Sequence, residues 1–351
     1  MNSQLPINYL SSEWCEKVTI LILTYNRYPY LRRLLEYFNS YTPLPQIIIL
    51  DSSTDEMQDE VLEEFQRSDR IIWKKFHSKT FFIHKIFDGL KEVKTEYSVL
   101  CAEDDFIAVN GLMSGLKFLD SHPDFSCFMG RCISHGISEN NGIFWGPLFH
   151  GKQSARGGDP VQRMERFATG KSIMNLYGLY RTGDHLRMWE KTCKHVSDFG
   201  LSELFPCMLS YLYGKVAIGN VFYWSNERNI STPIHRGIYS EEKINCAAQG
   251  ISLELIDKTG MSEENSFKTA HQLFKNHFRP KNIHINKKLY QIKRRIFDRL
   301  TKLYYLITFL TPFSDSRTDF QKIKSCVEFY KLSPKLLERT RRDYSEQINV
   351  I

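Results

Sequence analysis

Three consecutive carboxylates, Glu103, Asp104 and Asp105, directly follow the apolar run YSVLCA. Carboxylates this close repel one another, so their pKa values rise unless a cation lies among them. Oxygen ligands of this kind suit Mg²⁺ or Mn²⁺, which usually keep waters and bind substrate phosphates. The triplet therefore indicates a metal site. A solvated acidic turn that stabilises the start of the following helix is the other interpretation.

Two further polar clusters follow apolar runs earlier in the chain. The runs are VTILIL at 18–23 and QIIIL at 46–50, and both are typical of strands buried on the two faces of a parallel sheet. Ligands of open α/β sheets bind beyond the carboxyl ends of the strands, so we expect all three clusters to meet in one crevice. The residues concerned are Thr24, Tyr25, Asn26 and Arg27 after the first run, and Asp51 and Ser52 after the second.

The elements that must position these clusters alternate between strand and helix. Strands are predicted at 18–23, 46–50, 70–76 and 97–102, with helices at 31–38, 55–67 and 80–93 between them. Such an alternation predicts βαβ units that close right-handed onto an open parallel sheet. Later strands are predicted at 126–133, 142–145, 172–180 and 215–224, with helices at 184–192 and 201–212, and the chain is mostly helical from 241 onward.

The loop after the first strand lacks a glycine-rich phosphate motif. Its sequence, TYNRYP, matches neither GxGxxG nor GxxxxGK[ST]. A dinucleotide-dependent dehydrogenase and a P-loop NTPase are therefore both disfavoured, and a diphosphate would be held by a metal and side chains instead.

The segments VTILILTYNRYPYLRRLLEYF, IIILDSSTDE and YSVLCAEDDF resemble the start of a glycosyltransferase family 2-like enzyme with the GT-A fold. Later, NLYGLYRTG and DFGLSELF resemble one bacterial subgroup, so the resemblance covers about residues 17–240. It implies a Rossmann-like, open and mostly parallel α/β sheet flanked by helices, with a helical C-terminal extension. We expect the catalytic domain at 1–250 and a helical region at 251–351.

The same resemblance implies an activity. It is a metal-dependent, inverting transfer of a sugar from a nucleotide-activated donor to a hydroxyl of a glycan or lipid-linked acceptor, in surface polysaccharide or glycoconjugate synthesis. A nucleotidyltransferase acting on a sugar phosphate is one alternative, although it usually needs a glycine-rich basic loop after the first strand. A non-catalytic sugar-nucleotide or glycan-binding module is another alternative. Such a module would be expected to lose either the acidic triplet or the carboxylate that acts as general base.

The resemblance also implies roles for particular residues. The family pattern more often has an aspartate where this chain has Ala102. A carboxylate on a later helix acts as general base, and Glu203 in LSELFP matches it, with Asp198 in reserve. Nucleotide or donor contacts are implied for Thr24, Tyr25, Asn26, Arg27, Asp51 (to the base), Ser52, Lys85 and Asp104, and contacts to Mg²⁺ or Mn²⁺ for Asp105, Glu103 and His235.

Basic charge is concentrated in one late segment. Residues 281–311 contain eight cations and a single anion, so they carry the whole net charge of +7. Apolar residues recur there at spacings of three and four, which predicts an amphipathic helix over 283–310. Such a helix either packs on the catalytic domain or lies against anionic lipid. Because the charge is local rather than spread over a folded face, no nucleic-acid partner is expected.

The remaining composition predicts a cytoplasmic protein, peripheral to the inner face of the membrane if the basic helix binds lipid. No apolar run of about 18 residues is present, and the N-terminus has no basic segment followed by an apolar one. The eight cysteines form no CxxC pair, which argues against zinc and redox motifs.

Overall fold

The computed structural model describes residues 13–137, 143–148, 152–227, 240–278 and 315–330. Its strands are β1 (Val18–Thr24), β2 (Gln46–Asp51), β3 (Ile71–Lys75), β4 (Tyr97–Ala102), β5 (Phe106–Ile107), β6 (Phe125–Ile137), β7 (Ile143–Leu148), β8 (Leu179–Arg181) and β9 (Lys215–Glu227). Its helices are α1 (Glu13–Lys17), α2 (Tyr28–Asn39), α3 (Glu60–Gln66), α4 (Phe82–Leu90), α5 (Val109–Ser121), α6 (Pro160–Ala168), α7 (Thr182–His195), α8 (Phe199–Tyr213), α9 (Glu241–Thr259), α10 (Glu263–Phe278) and α11 (Asp315–Phe329).

The strands form one nine-stranded sheet in the order β3-β2-β1-β4-β8-β6-β9-β5, and β7 pairs with β6 off that path. β3, β2, β1 and β4 are parallel, as the alternation of strands and helices predicts. β8 is antiparallel to both β4 and β6, whereas β6 and β9 run parallel. The predicted open α/β sheet flanked by helices is therefore confirmed, with antiparallel strands in its second half.

Successive residues of β1 face opposite layers of helices. Ile20 and Ile22 are buried in the apolar cluster that includes α2 and α5, whereas Leu21 is buried in the cluster formed with α4 and α7. This division follows from the two-residue period of a strand. Helices thus cover both faces of β1, which explains why its sequence is an uninterrupted apolar run after Thr19.

Helix α8 is buried on almost every side. It packs against α6, α7 and α9, and most of its residues belong to one apolar cluster with these helices and α10. Helices that are apolar all round are found in such positions. Glu203 is the only charged residue in its sequence, FGLSELFPCMLSYLY, so a carboxylate enters an otherwise apolar helix there.

The strand predicted over 172–180 is mostly wrong. Ladder pairing in this part of the chain is confined to Leu179–Arg181, and the residues before it form a turn. In the turn the Gly178 N–H donates to the Asn175 carbonyl at 2.8 Å. Asn175 is fully buried and donates from its side chain to Ser210 Oγ of α8 at 2.8 Å. The bond joins the segment to a distant helix. β-propensity depends on local sequence, so it cannot predict such a contact.

The described residues of the C-terminal part lie mostly in the helices α9, α10 and α11, as predicted. α11 packs against α2, α5 and β9, and it buries Ile323 and Val327 in the cluster of that face. Asp319 is fully buried and accepts hydrogen bonds from Tyr41 OH at 2.6 Å and from the Asn110 N–H at 2.9 Å. The predicted boundary between the catalytic domain and the helical region, at residue 250, lies within α9. That boundary stays a prediction.

The basic segment over 283–310 lies outside the described residues. In the ranges that the structure does describe, no helix is both long enough and apolar enough to cross a membrane.

Candidate active site

The carboxyl ends of β1, β2 and β4 lie side by side. Thr24 pairs with Asp51 in one parallel ladder, and Leu23 pairs with Ala102 in the other. The three predicted polar clusters therefore meet at one edge of the sheet, where open α/β sheets bind ligands. Thr24 itself is buried, and its carbonyl accepts a hydrogen bond from the Ser52 N–H at 3.3 Å, so it joins the two strand ends.

Asn26 connects the loop after β1 to the loop after β2. Its side-chain oxygen accepts hydrogen bonds from the N–H groups of Thr54 and Asp55, and its own N–H donates to Ser53 Oγ at 2.8 Å. Its φ is +52°, a left-handed conformation that asparagine adopts more readily than most residues. Asn26 therefore shapes the crevice from within the loops. The neighbouring Tyr25 is half-buried, with no side-chain hydrogen bond to the described residues.

Asp51 is fully buried at the end of β2 and accepts four hydrogen bonds from the protein. Its Oδ2 accepts from Lys75 Nζ at 2.7 Å, Trp73 Nε1 at 3.0 Å and Tyr28 OH at 3.1 Å. Its Oδ1 accepts from the Ser53 N–H at 2.7 Å. Burial acts to raise the pKa of Asp51, but these bonds outweigh burial and leave the pKa below its ordinary value. Four protein donors thus hold the Asp51 carboxylate, and its contact with a nucleotide base stays a prediction.

Lys85 is a buried cation at the same edge. It is 4% exposed, its Nζ donates to Ser52 Oγ at 2.7 Å, and it makes no ion pair with a described residue. Burial lowers the pKa of Lys85 to about 8, although the charges of Glu103 and Asp51 act to raise it. A buried lysine without an ionic partner is costly, so this position fits a group that awaits an anionic ligand.

The three carboxylates of the triplet have different surroundings. The Asp104 side chain is 18% exposed and that of Glu103 is 9% exposed, whereas Asp105 is 1% exposed. Burial raises the pKa of Glu103 to about 7, although Arg27 acts to lower it. Asp104 is thus the carboxylate of the triplet that is most open to a ligand.

Asp105 is directed into the protein. Its carboxylate accepts hydrogen bonds from Trp224 Nε1 at 3.1 Å, from Asn226 Nδ2 at 3.1 Å and from the Glu227 N–H at 2.9 Å. All three donors belong to β9, so Asp105 attaches the end of β9 to the triplet. Contact of Asp105 with a metal stays a prediction, and its oxygens would have to give up bonds to β9 to make it.

Arg27 supplies the cation that the sequence analysis requires near the triplet. Its Nη1 lies 2.8 Å from Asp104 Oδ2 and 3.4 Å from Glu103 Oε1. Charge-assisted pairs of this length stabilise the ionised carboxylate. Contact of Arg27 with the nucleotide stays a prediction.

A buried ion network behind the triplet was missed by the sequence analysis. Arg33 Nη2 lies 2.7 Å from Glu227 Oε2 and donates to the Asp104 carbonyl at 2.8 Å. His135 Nε2 lies 3.4 Å from the same Glu227 oxygen. Burial acts to raise the pKa of Glu227, but Arg33 and His135 outweigh burial and lower the pKa to about 2. An arginine among the buried apolar residues of α2 was the available signal.

The carboxylates at the crevice suit Mg²⁺ or Mn²⁺, but they could supply only one or two of the ligands. Both ions prefer oxygen ligands, and Mg²⁺ often takes only one or two carboxylates from the protein and the rest from phosphates and water. Asp104, with Glu103 beside it, offers such carboxylates at the crevice. No group of three or more acidic, histidine or cysteine side chains able to hold a metal by itself occurs in the described part of the chain. His235 lies outside the described residues.

Glu203 lies one turn into α8 as an unpaired, half-buried carboxylate. No described residue makes a hydrogen bond or an ion pair with it. Burial raises the pKa of Glu203 to about 7. A carboxylate with such a pKa exists in both protonation states near neutral pH, which is the property that general acid–base catalysis requires.

Asp198, the reserve candidate, is engaged at the start of α8. Its side chain caps the helix by accepting from the N–H groups of Gly200 and Leu201, and Lys243 Nζ lies 3.0 Å from its other oxygen. These contacts are those of a structural N-cap. Of the two predicted bases, Glu203 is the one whose carboxylate has no partner in the described structure.

Comparisons with known proteins bear on the family and on the fold. The family model described as glycosyl transferase family 2 matches residues 19–170. A crystal structure of S. aureus TarS 1–349 in complex with UDP-GlcNAc is similar with a TM-score of 0.53 and 15% identity, over 75% of this chain and 72% of that one. TarS 1–349 alone gives 0.52 and 15% over 90% and 91%, and its complex with UDP gives 0.53 and 14% over 79% and 78%.

At these identities the TarS structures establish a shared fold. A comparison with curated proteins finds no match. The family match favours a glycosyltransferase over the nucleotidyltransferase and over the non-catalytic binding module. The matched range runs from β1 to just beyond α6 and includes the whole acidic triplet, so the comparisons confirm the resemblance of this part of the chain to family 2 glycosyltransferases with the GT-A fold.

Proposed function

We propose that this glycosyltransferase moves a sugar from a nucleotide-activated donor to a hydroxyl of a glycan or lipid-linked acceptor, with inversion at the anomeric carbon. The observation that carries the proposal is the carboxylate of Glu203, which is unpaired within an apolar helix and has a pKa raised to about 7 by burial. Synthesis of a surface polysaccharide or glycoconjugate is the process that this chemistry would serve.

The donor is a nucleoside diphosphate sugar held at the ends of β1, β2 and β4. Asp51 and Tyr25 are the proposed contacts to the base and ribose, and Lys85 and Arg27 would offer positive charge to the diphosphate. The TarS complexes with UDP and UDP-GlcNAc support a nucleotide sugar as the ligand of such a crevice.

Mg²⁺ or Mn²⁺ is the proposed cofactor, held by Asp104 with Glu103 nearby. Such an ion, when bound, would stabilise negative charge on the diphosphate leaving group. Arg27 is paired with Asp104, so binding of such an ion there would require the guanidinium to give up this pair, which would leave it available to a phosphate. Asp105 would hold the triplet in place through β9.

Glu203 is the proposed general base. Its carboxylate accepts the proton of the acceptor hydroxyl while that oxygen forms a bond to the anomeric carbon. The bond from the anomeric carbon to the diphosphate oxygen breaks, and its electron pair leaves with the nucleoside diphosphate. Attack from the side opposite the leaving group inverts the configuration.

Thermal unfolding with a panel of nucleotides tests the donor and metal assignments. UDP, GDP, CDP and CMP are each added with and without Mn²⁺. One nucleoside diphosphate should stabilise the protein in a metal-dependent way, by about 2.7 kcal/mol at a hundredfold excess over its Kd. Asp104→Ala should lose this stabilisation, and Asp124→Ala, at an exposed acid at the opposite end of the sheet, is its matched control. Stabilisation by CMP without metal would contradict the metal assignment.

Attachment to the inner face of the membrane through the basic segment 283–310 remains a proposal from the sequence. Attraction of about 1 kcal/mol per basic residue should retain the protein on anionic vesicles and fade with salt. Co-sedimentation with anionic and neutral vesicles at low and high salt measures it. Absence of binding to anionic vesicles at low salt would assign the segment to packing on the domain instead.

A further inference from the structure

Tyr177 lies in a turn whose shape is fixed from several sides. The Gly178 N–H closes the turn on the Asn175 carbonyl, and the Asn175 side chain is bonded to Ser210 of α8. A Cβ atom at Gly178 would lie 2.4 Å from Cys127 Sγ and 2.9 Å from the Asn175 carbonyl oxygen, so only glycine fits there. The position of Tyr177 is therefore determined by the sheet and by α8 together.

On one side, Tyr177 adjoins the support of the acidic triplet. Its ring packs on Trp224 with centroids 4.8 Å apart and an interplanar angle of 34°. Trp224 in turn donates from Nε1 to Asp105. The tyrosine thus lies against the residue that anchors the triplet to β9.

On the other side, the turn adjoins the helix that carries the proposed base. Cys207, one helical turn after Glu203, contacts the backbone of Asn175 and Leu176. Burial raises the pKa of Tyr177, and the charges of Asp105 and Glu203 add to that effect. The Tyr177 hydroxyl makes no hydrogen bond to any described residue. The residue is only half-buried, so the hydroxyl is available to a ligand.

We infer that Tyr177 binds the sugar that is being transferred, with its hydroxyl on a sugar hydroxyl and its ring edge against the sugar. The inference rests on the proposed function. In an in-line displacement the anomeric carbon lies between the leaving diphosphate and the attacking acceptor oxygen. The diphosphate belongs at the triplet and the acceptor at Glu203, so a side chain between these two groups adjoins the sugar. A tyrosine offers both an apolar face and a hydrogen-bonding tip for that purpose.

Calorimetric titration of wild type, Tyr177→Phe and Tyr213→Phe tests the inference. The probes are UDP with UDP-GlcNAc and GDP with GDP-mannose, in the presence of Mn²⁺, and the pair that binds wild type is compared. Tyr177→Phe keeps the ring on Trp224 but removes the hydroxyl. Its affinity for the nucleotide sugar should fall about three- to tenfold, the usual effect of losing one hydrogen bond, while its affinity for the nucleoside diphosphate stays unchanged.

Tyr213→Phe is the matched control. Tyr213 lies at the end of α8 opposite to Glu203, and its hydroxyl donates to Glu254 of α9. It should leave both affinities as in wild type. An equal loss of affinity for the diphosphate and the nucleotide sugar in Tyr177→Phe, or no loss for either, would overturn the role of Tyr177. A wild type that binds no nucleotide of the panel would instead contradict the proposed function itself, and with it this inference.

Discussion

Arg27 Nη1 lies 2.8 Å from Asp104 Oδ2, whereas the adjacent Asp105 carboxylate is bound by donors of β9. Two neighbouring carboxylates of one triplet therefore point in different directions and meet different partners. Asp104 faces the crevice with a displaceable cation, and Asp105 faces the interior. This division leads to opposite expectations for their variants.

Asp104→Asn should remove ligand binding with little loss of stability. Arg27 keeps Glu103 as a partner in the variant, so the free energy of unfolding should change by only about 1 kcal/mol, the net contribution of one hydrogen bond. Stabilisation by a nucleoside diphosphate with Mn²⁺ should disappear. Thermal unfolding with and without ligand measures both quantities.

Asp105→Asn should behave in the reverse way. An amide cannot accept from all three donors, and each unsatisfied buried group costs about 1–3 kcal/mol, so urea unfolding should show a loss of at least about 2 kcal/mol. Residual folded protein should still respond to nucleotide and Mn²⁺. If Asp105→Asn were stable and had lost that response, Asp105 would be returned to the metal site.

Glu203→Gln should lower turnover by at least about a hundredfold while leaving donor affinity intact, because it removes the general base. Since the pKa of Glu203 is about 7, wild-type turnover should rise with pH through that value and then level off as the carboxylate ionises. Steady-state rates between pH 5.5 and 8.5 measure this profile. Loss of turnover in Asp198→Asn but not in Glu203→Gln would assign the base to Asp198.

Lys85→Met should weaken donor binding by about ten- to a hundredfold, the range for losing a charge-assisted hydrogen bond. Burial holds the pKa of Lys85 near 8, so the cation is present below that pH and wild-type donor affinity should fall between pH 7 and pH 9. Titration calorimetry at those two pH values measures it. Lys91→Met is the control, because Lys91 is an exposed lysine that pairs with Asp88 just after the same helix. Equal affinities for both variants would separate Lys85 from the donor.

Asp319→Ala should destabilise the packing of α11. Removal of the acceptor leaves Tyr41 OH and the Asn110 N–H unpaired, at a cost of about 2 kcal/mol. Burial raises the pKa of Asp319 to about 6, so its contribution is complete below its unfolded pKa near 4 and declines as pH rises through 6. The variant should therefore lose more stability at pH 4.5 than at pH 7 in urea unfolding. A larger loss at pH 7 would contradict this sign.

The first half of the fold was predictable because its signal is local. Runs such as VTILIL and QIIIL are buried on both faces, so the strand pattern does not depend on which distant element covers them. The meeting of the three polar clusters followed from parallel order alone, because parallel strands end at one edge of the sheet. Glu203 was identified through the resemblance to the family, and in the structure it is the one charged residue of an apolar helix.

Contacts between distant segments decided the rest. Which carboxylate of the triplet faces the crevice depends on β9, more than a hundred residues later, whose donors turn Asp105 inward. The segment that carries Tyr177 was predicted as a strand, but it forms a turn in which Asn175 is bonded to α8. The sequence of α2 does not show what Arg33 does, because its role depends on the ion pair with Glu227 in β9. The sequence by itself determined the sheet, its binding edge and the candidate residues. Only the tertiary structure decided their orientation, since a side chain's hydrogen-bond partners come from whatever the fold brings beside it.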